Sequence, residues 1–474
     1  MKNSGYRQKK LIVFGLDCAD PRLMFDKLSE HIPACRKLSE NGFAASMRST
    51  DPPLTIPAWS SMTTGKDPGQ LGLYGIRSRV DFGYDSLRLS HSLDVKTPRI
   101  WDVLGSHQLR SILVGIPQTY PITPVNGVCL AGIPAPESGT IHSWPAHIGP
   151  EIKKRFPDYR VDIDNFRTIS TENLLHQLIS MTRARFAAFR HLLETQDWDF
   201  AMMVEIGLDR LHHAFWHHWD AAHPLFIEDS VFENAIPDYY ALLDQEINDT
   251  LDLLPSDCGV LIVSDHGAQP MQGGIRINHW LIKNGWMTLK QTPWEETPLS
   301  SEMVNWSATR AWGEGGYFGR VFLNVEGREP NGAIPRNEFH NQRQRLAAAL
   351  NAMRDIEGNL LGNQVLYPEK LYKEINGIPP DLMVYFGSLA WRSLGGVGPN
   401  PDAFGDGVFT RRNDRGPDGA NHDFFGVCIG NFETAINKTS GTFRHPGKCD
   451  ITDIMSIVLH YFNITETEPM VILK

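Results

Sequence analysis

The feature that most constrains this chain is a set of short apolar runs that each lead into an acidic residue. LIVFGL, residues 11–16, is closed by Asp17. GVLIV, residues 259–263, is followed at once by Ser264, Asp265 and His266. A third run, residues 199–206, reads DFAMMVEI, with Asp209 three residues beyond it. Continuous apolar runs rich in Val and Ile mark strands buried on both faces, the condition of a parallel sheet. Further strand candidates are 43–47, 111–115, 381–385 and 425–429, and helical periodicity occupies 24–39, 100–109 and 172–195. Such alternation predicts an α/β fold: a three-layer sandwich whose central sheet is mostly parallel. Ligands in such sheets bind beyond the carboxyl ends of the strands, where Asp17, Asp209 and Asp265 fall.

Composition narrows the classes. With 41% hydrophobic and 21% charged residues, the 474-residue chain can fill a core, so a disordered chain is excluded. We read residues 1–474 as one α/β domain with loop or cap excursions near 132–169, 268–335 and 395–419, all rich in Gly and Pro or Trp. Within the second, the stretch from Ala311 to Gly316 reads as loop. A net charge of −10 argues against an extended nucleic-acid surface. It leaves room for a small phosphorylated substrate, because bound cations would offset local carboxylates. The six cysteines include no CxxC pair, so they read as small core hydrophobes rather than a thiolate zinc site or a disulfide framework. The basic N-terminus leads into an apolar run too short to span a bilayer. No transmembrane segment and a cytoplasmic protein are the expectations.

The chemistry-bearing residues follow the strand ends. Thr55 lies in DPPLTIPAWSSMTTGKDPG, where Pro52-Pro53 hold the approach extended and Pro57 suits the first turn of a helix running to about Thr64. A hydroxyl there faces free backbone N–H groups, the usual place to hold a phosphate. The plain alternative is that Thr55 is only an N-cap. Asp209 and His213 are four apart and share a helix face, and carboxylate plus imidazole suits zinc. Because His212, His217, His218 and His223 lie nearby, spacing alone does not select His213. Asp265 and His266 precede Gly267, which permits a tight turn. His422 stands just before a late strand. Taken singly, each has a bland reading as a cap, a solvated helix face or a loop histidine. Together they supply three carboxylates, three imidazoles and a hydroxyl, which one binuclear metal site explains at once.

The segments FGLDCADP, PPLTIPAWSSMTTGKDPGQLGLYGI, LDRLHHAFW, VSDHG and GANHDFFGVCIG occur in an order that resembles the type I phosphodiesterase and nucleotide pyrophosphatase family of the alkaline phosphatase superfamily. The chain is more similar still to that superfamily's bacterial predicted phosphohydrolases or phosphomutases. The resemblance implies an alkaline-phosphatase-like fold and a Thr55 nucleophile. It implies one ion held by Asp17, Thr55, Asp265 and His266, and another by Asp209, His213 and His422, with His213 selected over His212. The ions would be zinc, with manganese as the alternative. The implied activity is metal-dependent phosphoric ester hydrolysis, as a phosphodiesterase or nucleotide pyrophosphatase working through phosphothreonine. The alternatives are a phosphomonoesterase and a non-catalytic, metal-stabilised binding protein. The related phosphoglycerate mutases use Ser where Thr55 stands, which disfavours mutase activity. One departure is Cys18, where many members have Gly, and Asp20 adds negative charge nearby. A monoester would profit from an extra cation. Arg276 is the leading candidate for it, whereas Arg210 is expected to point elsewhere. Trp59, Trp216, Trp219, Trp306, Trp312 and Tyr317 are candidates to stack on a base or to fill core.

Overall fold

Nine strands form the central sheet of the computed structural model, which describes residues 9–136, 139–411, 418–432 and 449–465. Their order is Cys449–Asp450, Phe43–Arg48, Phe425–Gly430, Gly259–Val263, Leu11–Leu16, Phe200–Glu205, Ser111–Ile116, Gly127–Ala131 and Ser143–Trp144. Leu11–Leu16 lies in the middle, parallel to both Phe200–Glu205 and Gly259–Val263. Its six residues are all buried, as a strand covered on both faces requires.

Pleat alternation sorts that strand into two cores. Ile12, Phe14 and Leu16 pack with the helices Thr171–Thr195, Gly207–Trp219 and Ala235–Leu251. Leu11 and Val13 face the other way, toward Thr55–Thr64, Ile100–Ser106 and Asp453–Tyr461. The result is the expected three-layer sandwich. Each fully buried Val, Leu, Ile or Phe of this kind contributes about 1.5–3 kcal/mol, so the middle strand is a rigid platform for the residues at its carboxyl end.

Phe425–Gly430 runs against its neighbours. It is antiparallel to both Phe43–Arg48 and Gly259–Val263. Its N-terminal end therefore lies beside the carboxyl ends of the parallel strands. That reversal brings His422, which precedes a strand, to the same edge as Asp17 and Asp265, which follow strands.

Three local expectations need correction. The helix expected over 24–39 is broken into a π-helical turn at Leu23–Lys27, a 3-10 turn at Ser29–His31 and a helix at Pro33–Asn41. Pro33 lacks an N–H and is tolerated only where a helix begins. The strand near 381–385 is Leu382–Tyr385, and it belongs to a separate four-stranded antiparallel sheet with Gln364–Leu366, Gly319–Leu323 and Ala311–Glu314. Ala311–Glu314 is thus a buried strand rather than a loop. Its Gly313 is a packing choice, since an added Cβ would come within 2.8 Å of the Ile277 side chain. This sheet and the helices Ile277–Lys283 and Phe339–Asn351 enclose their own hydrophobic core. Of the excursion near 395–419, residues 412–417 lie outside the described residues. All six cysteines are free and buried. Among the described residues no helix is long and apolar enough to cross a membrane.

Candidate metal centre at the carboxyl edge of the sheet

Six of the seven sequence-predicted ligands, all but Thr55, converge into two triads. Asp17, Asp265 and His266 form one, and Asp209, His213 and His422 the other. Within each, one ligand atom per residue lies within 4.8 Å of the others. In the first, His266 Nε2 stands 3.2 Å from Asp265 Oδ2 and 3.8 Å from Asp17 Oδ1. In the second, Asp209 Oδ1 lies 3.3 Å from His213 Nε2 and 3.4 Å from His422 Nε2. The His266 and His422 rings stack at 3.7 Å, so the triads share a wall.

Backbone geometry explains each placement. Asp17 and Asp265 follow adjacent parallel strands, Leu11–Leu16 and Gly259–Val263. Asp209 and His213 lie one turn apart on Gly207–Trp219, the helix that follows Phe200–Glu205 on the other side of Leu11–Leu16. His422 belongs to the short strand Ala420–Asp423, which pairs antiparallel with Gly267–Pro270 just after His266.

The imidazoles are held in place through their Nδ1 atoms. His213 Nδ1 lies 2.7 Å from Asp418 Oδ1 and 2.9 Å from the Ala420 carbonyl. His266 Nδ1 donates to the Gly267 carbonyl at 3.1 Å, and His422 Nδ1 to the Pro53 carbonyl at 2.8 Å. These partners only accept, so each Nδ1 carries a proton; His266 and His422, lowered by burial, keep a lone pair on Nε2, whereas the raised His213 must give up its Nε2 proton to bind a cation. Those three Nε2 atoms, with Asp17 Oδ1, Asp209 Oδ1 and Asp265 Oδ2, are buried and lack a well-formed hydrogen bond. Buried polar groups are normally satisfied, and six orphaned ligand atoms in one place call for a common partner. Two divalent cations fit this oxygen and nitrogen donor set.

The electrostatics agree. Burial, then the Asp209 charge, pushes the Asp17 carboxyl well above its usual range, although Trp59 Nε1 donates to its Oδ2 at 2.8 Å. Burial, then Asp17, raises Asp265 in the same way. Burial also opposes charge on Asp209, but His213 and Arg210 outweigh it and hold that carboxyl well below its usual range. His213 is held high against burial by Tyr317, Asp418 and Asp209. Burial lowers His266 and His422. His212 belongs to neither triad; it meets Trp216 edge-on and lies tilted against Tyr240, and burial lowers it to about 4.

Thr55 is the first residue of the helix Thr55–Thr64, and its hydroxyl makes no capping bond because Leu54 is the N-cap. The N-cap alternative is thereby set aside. The first bond of the helix runs from Ala58 N to Leu54 O, so the Thr55 and Ile56 amides precede it. The segment is tied to both triads: Pro53 receives His422, and Trp59, one turn on, reaches Asp17. Trp59 fits because Gly15 has no Cβ; one built there would stand 2.5 Å from the indole.

Several residues at the site escaped sequence reasoning. Asp418 is buried beneath His213 and also receives Arg167 Nε at 3.0 Å and Arg392 Nη1 at 2.8 Å. The only signal for it was an acidic residue four before His422. Arg210 pairs with Asp209 and holds Asp162 through Nε at 2.9 Å and Nη2 at 2.7 Å. The expectation that Arg210 points elsewhere fails because its long side chain folds back toward Asp162, in the 132–169 excursion. Arg276 is buried and bonded to Glu296 and the carbonyls of Gly398 and Gly407, between Ile275 and Ile277 of the second hydrophobic core. Asp20 is gripped by Arg22 Nη2 at 2.8 Å and Nε at 3.1 Å, which meets its charge locally. Among the aromatic candidates, Trp59, Trp216 and Trp312 are core, and Trp306 stacks on Tyr84. Tyr317 alone covers the ligands, stacking on His213 at 5.0 Å and His422 at 4.1 Å.

A three-layer α/β sandwich carrying two carboxylate–imidazole triads over the carboxyl edge of its sheet is the architecture of the alkaline phosphatase superfamily. Within that superfamily the chain belongs to the type I phosphodiesterase / nucleotide pyrophosphatase family, whose model matches residues 11–418. It is thereby a hydrolase of that family. The match stops four residues before His422, whose place at the site rests on geometry. Solved structures share the fold at low identity. Human ectonucleotide pyrophosphatase / phosphodiesterase 5 is 12% identical, with a TM-score of 0.55 over 98% of this chain and 96% of that one. Phosphonoacetate hydrolase from Sinorhizobium meliloti, in complex with phosphonoacetate, is 15% identical, with a TM-score of 0.59 over 96% of each chain. An inactive Thr-to-Ala variant of the murine ectonucleotide pyrophosphatase / phosphodiesterase 5, in complex with AMP, gives 12% and 0.54 over 98% and 96%. No curated protein matches the sequence.

Proposed function

We propose that this protein hydrolyses phosphodiesters of small organic molecules through a phosphothreonine on Thr55. The observation that carries the reading is the set of six orphaned, buried ligand atoms beside the N-terminus of the Thr55 helix. Two divalent cations, zinc by the donor set, would be held by Asp17, Asp265, His266 and Thr55 and by Asp209, His213 and His422. When bound, they supply positive charge to the phosphoryl oxygens and lower the pKa of the Thr55 hydroxyl. Thr55 Oγ1 then attacks phosphorus as its proton passes to solvent, and the substrate oxygen leaves in line and takes up a proton from solvent to become the alcohol. Water attacks the phosphothreonine in the second step, and Oγ1 is released. The Thr55 and Ile56 amides lie where a phosphoryl oxygen would be met. The inactive Thr-to-Ala variant of the murine relative supports the nucleophile assignment. A cytoplasmic location completes the reading and rests on six free, buried thiols.

Charge bookkeeping favours diesters. Among the described residues, the arginines at the site are committed to carboxylates: Arg210 to Asp209 and Asp162, Arg167 and Arg392 to Asp418. A monoester brings an additional negative oxygen that these pairs leave unmet. We expect kcat/KM for an aryl diester to exceed that for the matching monoester by tenfold or more, about 1.4 kcal/mol of transition-state stabilisation. The comparison uses one zinc-loaded preparation. A consistent monoester preference would overturn the diester assignment, and its loss in Arg210→Ala would name the cation responsible.

Asp418 acts as a positioning residue in this scheme. It fixes the His213 tautomer while two arginines hold its other oxygen. Asp418→Asn is expected to weaken one of the two metal sites by about 10–100-fold, the usual cost of losing such a partner. Calorimetric zinc titration reads this as one unchanged and one weakened binding event. Two unchanged events would remove Asp418 from that role.

A further inference from the structure

The thiol of Cys18 lies at the junction of the two triads. Its Sγ forms a third cluster with an Asp209 oxygen and a His266 nitrogen, all within 4.8 Å of one another. Asp209 belongs to one triad and His266 to the other, so a single sulfur faces both. Cys18 is 1% exposed. Its backbone N–H donates to Asp265 Oδ1 at 3.1 Å, which fixes the residue against a ligand. The thiol donates to the Gly267 carbonyl at 3.4 Å. Independently, the two groups it faces are among the orphans: Asp209 Oδ1 and His266 Nε2 are buried without a well-formed hydrogen bond. The backbone here is left-handed, with φ of 69°, a region where a side chain costs roughly 1–2 kcal/mol and glycine costs little. A Cβ kept at such a position places Sγ where a cation bound by either triad would meet it.

We propose that Cys18 is an eighth ligand of the centre, reaching across the seam as a thiolate. This rests on the binuclear reading above. Coordination releases the thiol proton to solvent and gives up the donation to Gly267. The consequence is selectivity: a soft sulfur donor favours zinc, cobalt and cadmium over magnesium and manganese, beyond what carboxylate and imidazole provide.

The test is cobalt substitution of the full-length protein, read by absorption rather than turnover. With two cobalt ions per chain, the wild type is expected to show weak visible d–d bands and an intense near-ultraviolet thiolate-to-cobalt charge-transfer band. Cys18→Ser should keep the d–d bands and the two-ion stoichiometry but lose the charge-transfer band. Cys18→Gly, suited to the left-handed backbone, should do the same and guards against a folding defect in the serine variant. Competition between zinc and manganese should show the wild-type preference for zinc reduced by about tenfold in both variants, or ~1.4 kcal/mol. Two bound cobalt ions without a charge-transfer band, or a band that persists in both variants, would overturn the Cys18 assignment and leave the binuclear centre standing. Failure to bind cobalt at all would overturn both.

Discussion

Thr55→Ala is expected to lower kcat on the order of 10³-fold or more, as loss of an attacking group does elsewhere, while folding and metal content stay near wild type. The asymmetry arises from the place of Thr55 in the fold. It is the first helical residue and not the cap, so its hydroxyl supports no capping bond. Its neighbours hold the segment: Pro53 receives His422, and Trp59 is clamped between Gly15 and Asp17. Removing one hydroxyl and one methyl from such a site should change stability by no more than about 1 kcal/mol. Thr55→Ser keeps the oxygen and should retain measurable turnover. Steady-state diester cleavage, thermal melting and elemental analysis of the same preparations check all three statements. An alanine variant with near wild-type kcat would end the nucleophile assignment. An alanine variant that loses both metal and melting temperature would recast Thr55 as a structural ligand.

The parallel core was legible because its strands are continuous apolar runs, and their acidic ends marked Asp17, Asp209 and Asp265 as neighbours. His422 was a candidate from its place before a late strand, but only resemblance assigned it to the same centre. Nothing in its local sequence says that Phe425–Gly430 runs antiparallel, and in a parallel strand the preceding loop would lie at the opposite edge. The second core was misread for a different reason. Gly313 and its flanking glycines look like loop residues until Ile277 is seen packed against Gly313. Arg210 and Arg276 exchanged roles for want of partners: which arginine reaches the site depends on Asp162 and Glu296, carboxylates distant in sequence whose positions only the fold supplies. Asp418 was invisible on the same ground. Its meaning lies in being beneath His213, 205 residues away.

Removing the metals should abolish turnover and lower the melting temperature, and the gap between loaded and chelated protein should widen as pH rises. Burial, with Asp209 for the first and Asp17 for the second, raises Asp17 and Asp265 in the metal-free fold. Against burial, Tyr317, Asp418 and Asp209 raise His213. Each of these groups keeps a proton in the metal-free fold that it would lose more readily when unfolded. For Asp17 and Asp265 the metal-free native state therefore holds more protons than the unfolded chain above about pH 3.9. Its stability falls as pH climbs from there through the raised values. Raised His213 acts the same way above its unfolded value of about 6.5. Metal binding needs all three deprotonated, so protons compete with cations and the metal-bound form gains over the same rise in pH. His266 and His422, lowered by burial, are already neutral and add no opposing demand near neutrality. At a free concentration of 1,000 times its dissociation constant, each ion would stabilise the fold by about 4.1 kcal/mol. Melting curves of chelated and zinc-loaded protein between mildly acidic and mildly alkaline pH measure the gap. Calorimetry in buffers of differing ionisation enthalpy measures proton release directly. A gap that narrows as pH rises, or chelated protein that turns over at the full rate, would mean that these carboxylates and imidazoles serve the fold rather than a metal centre.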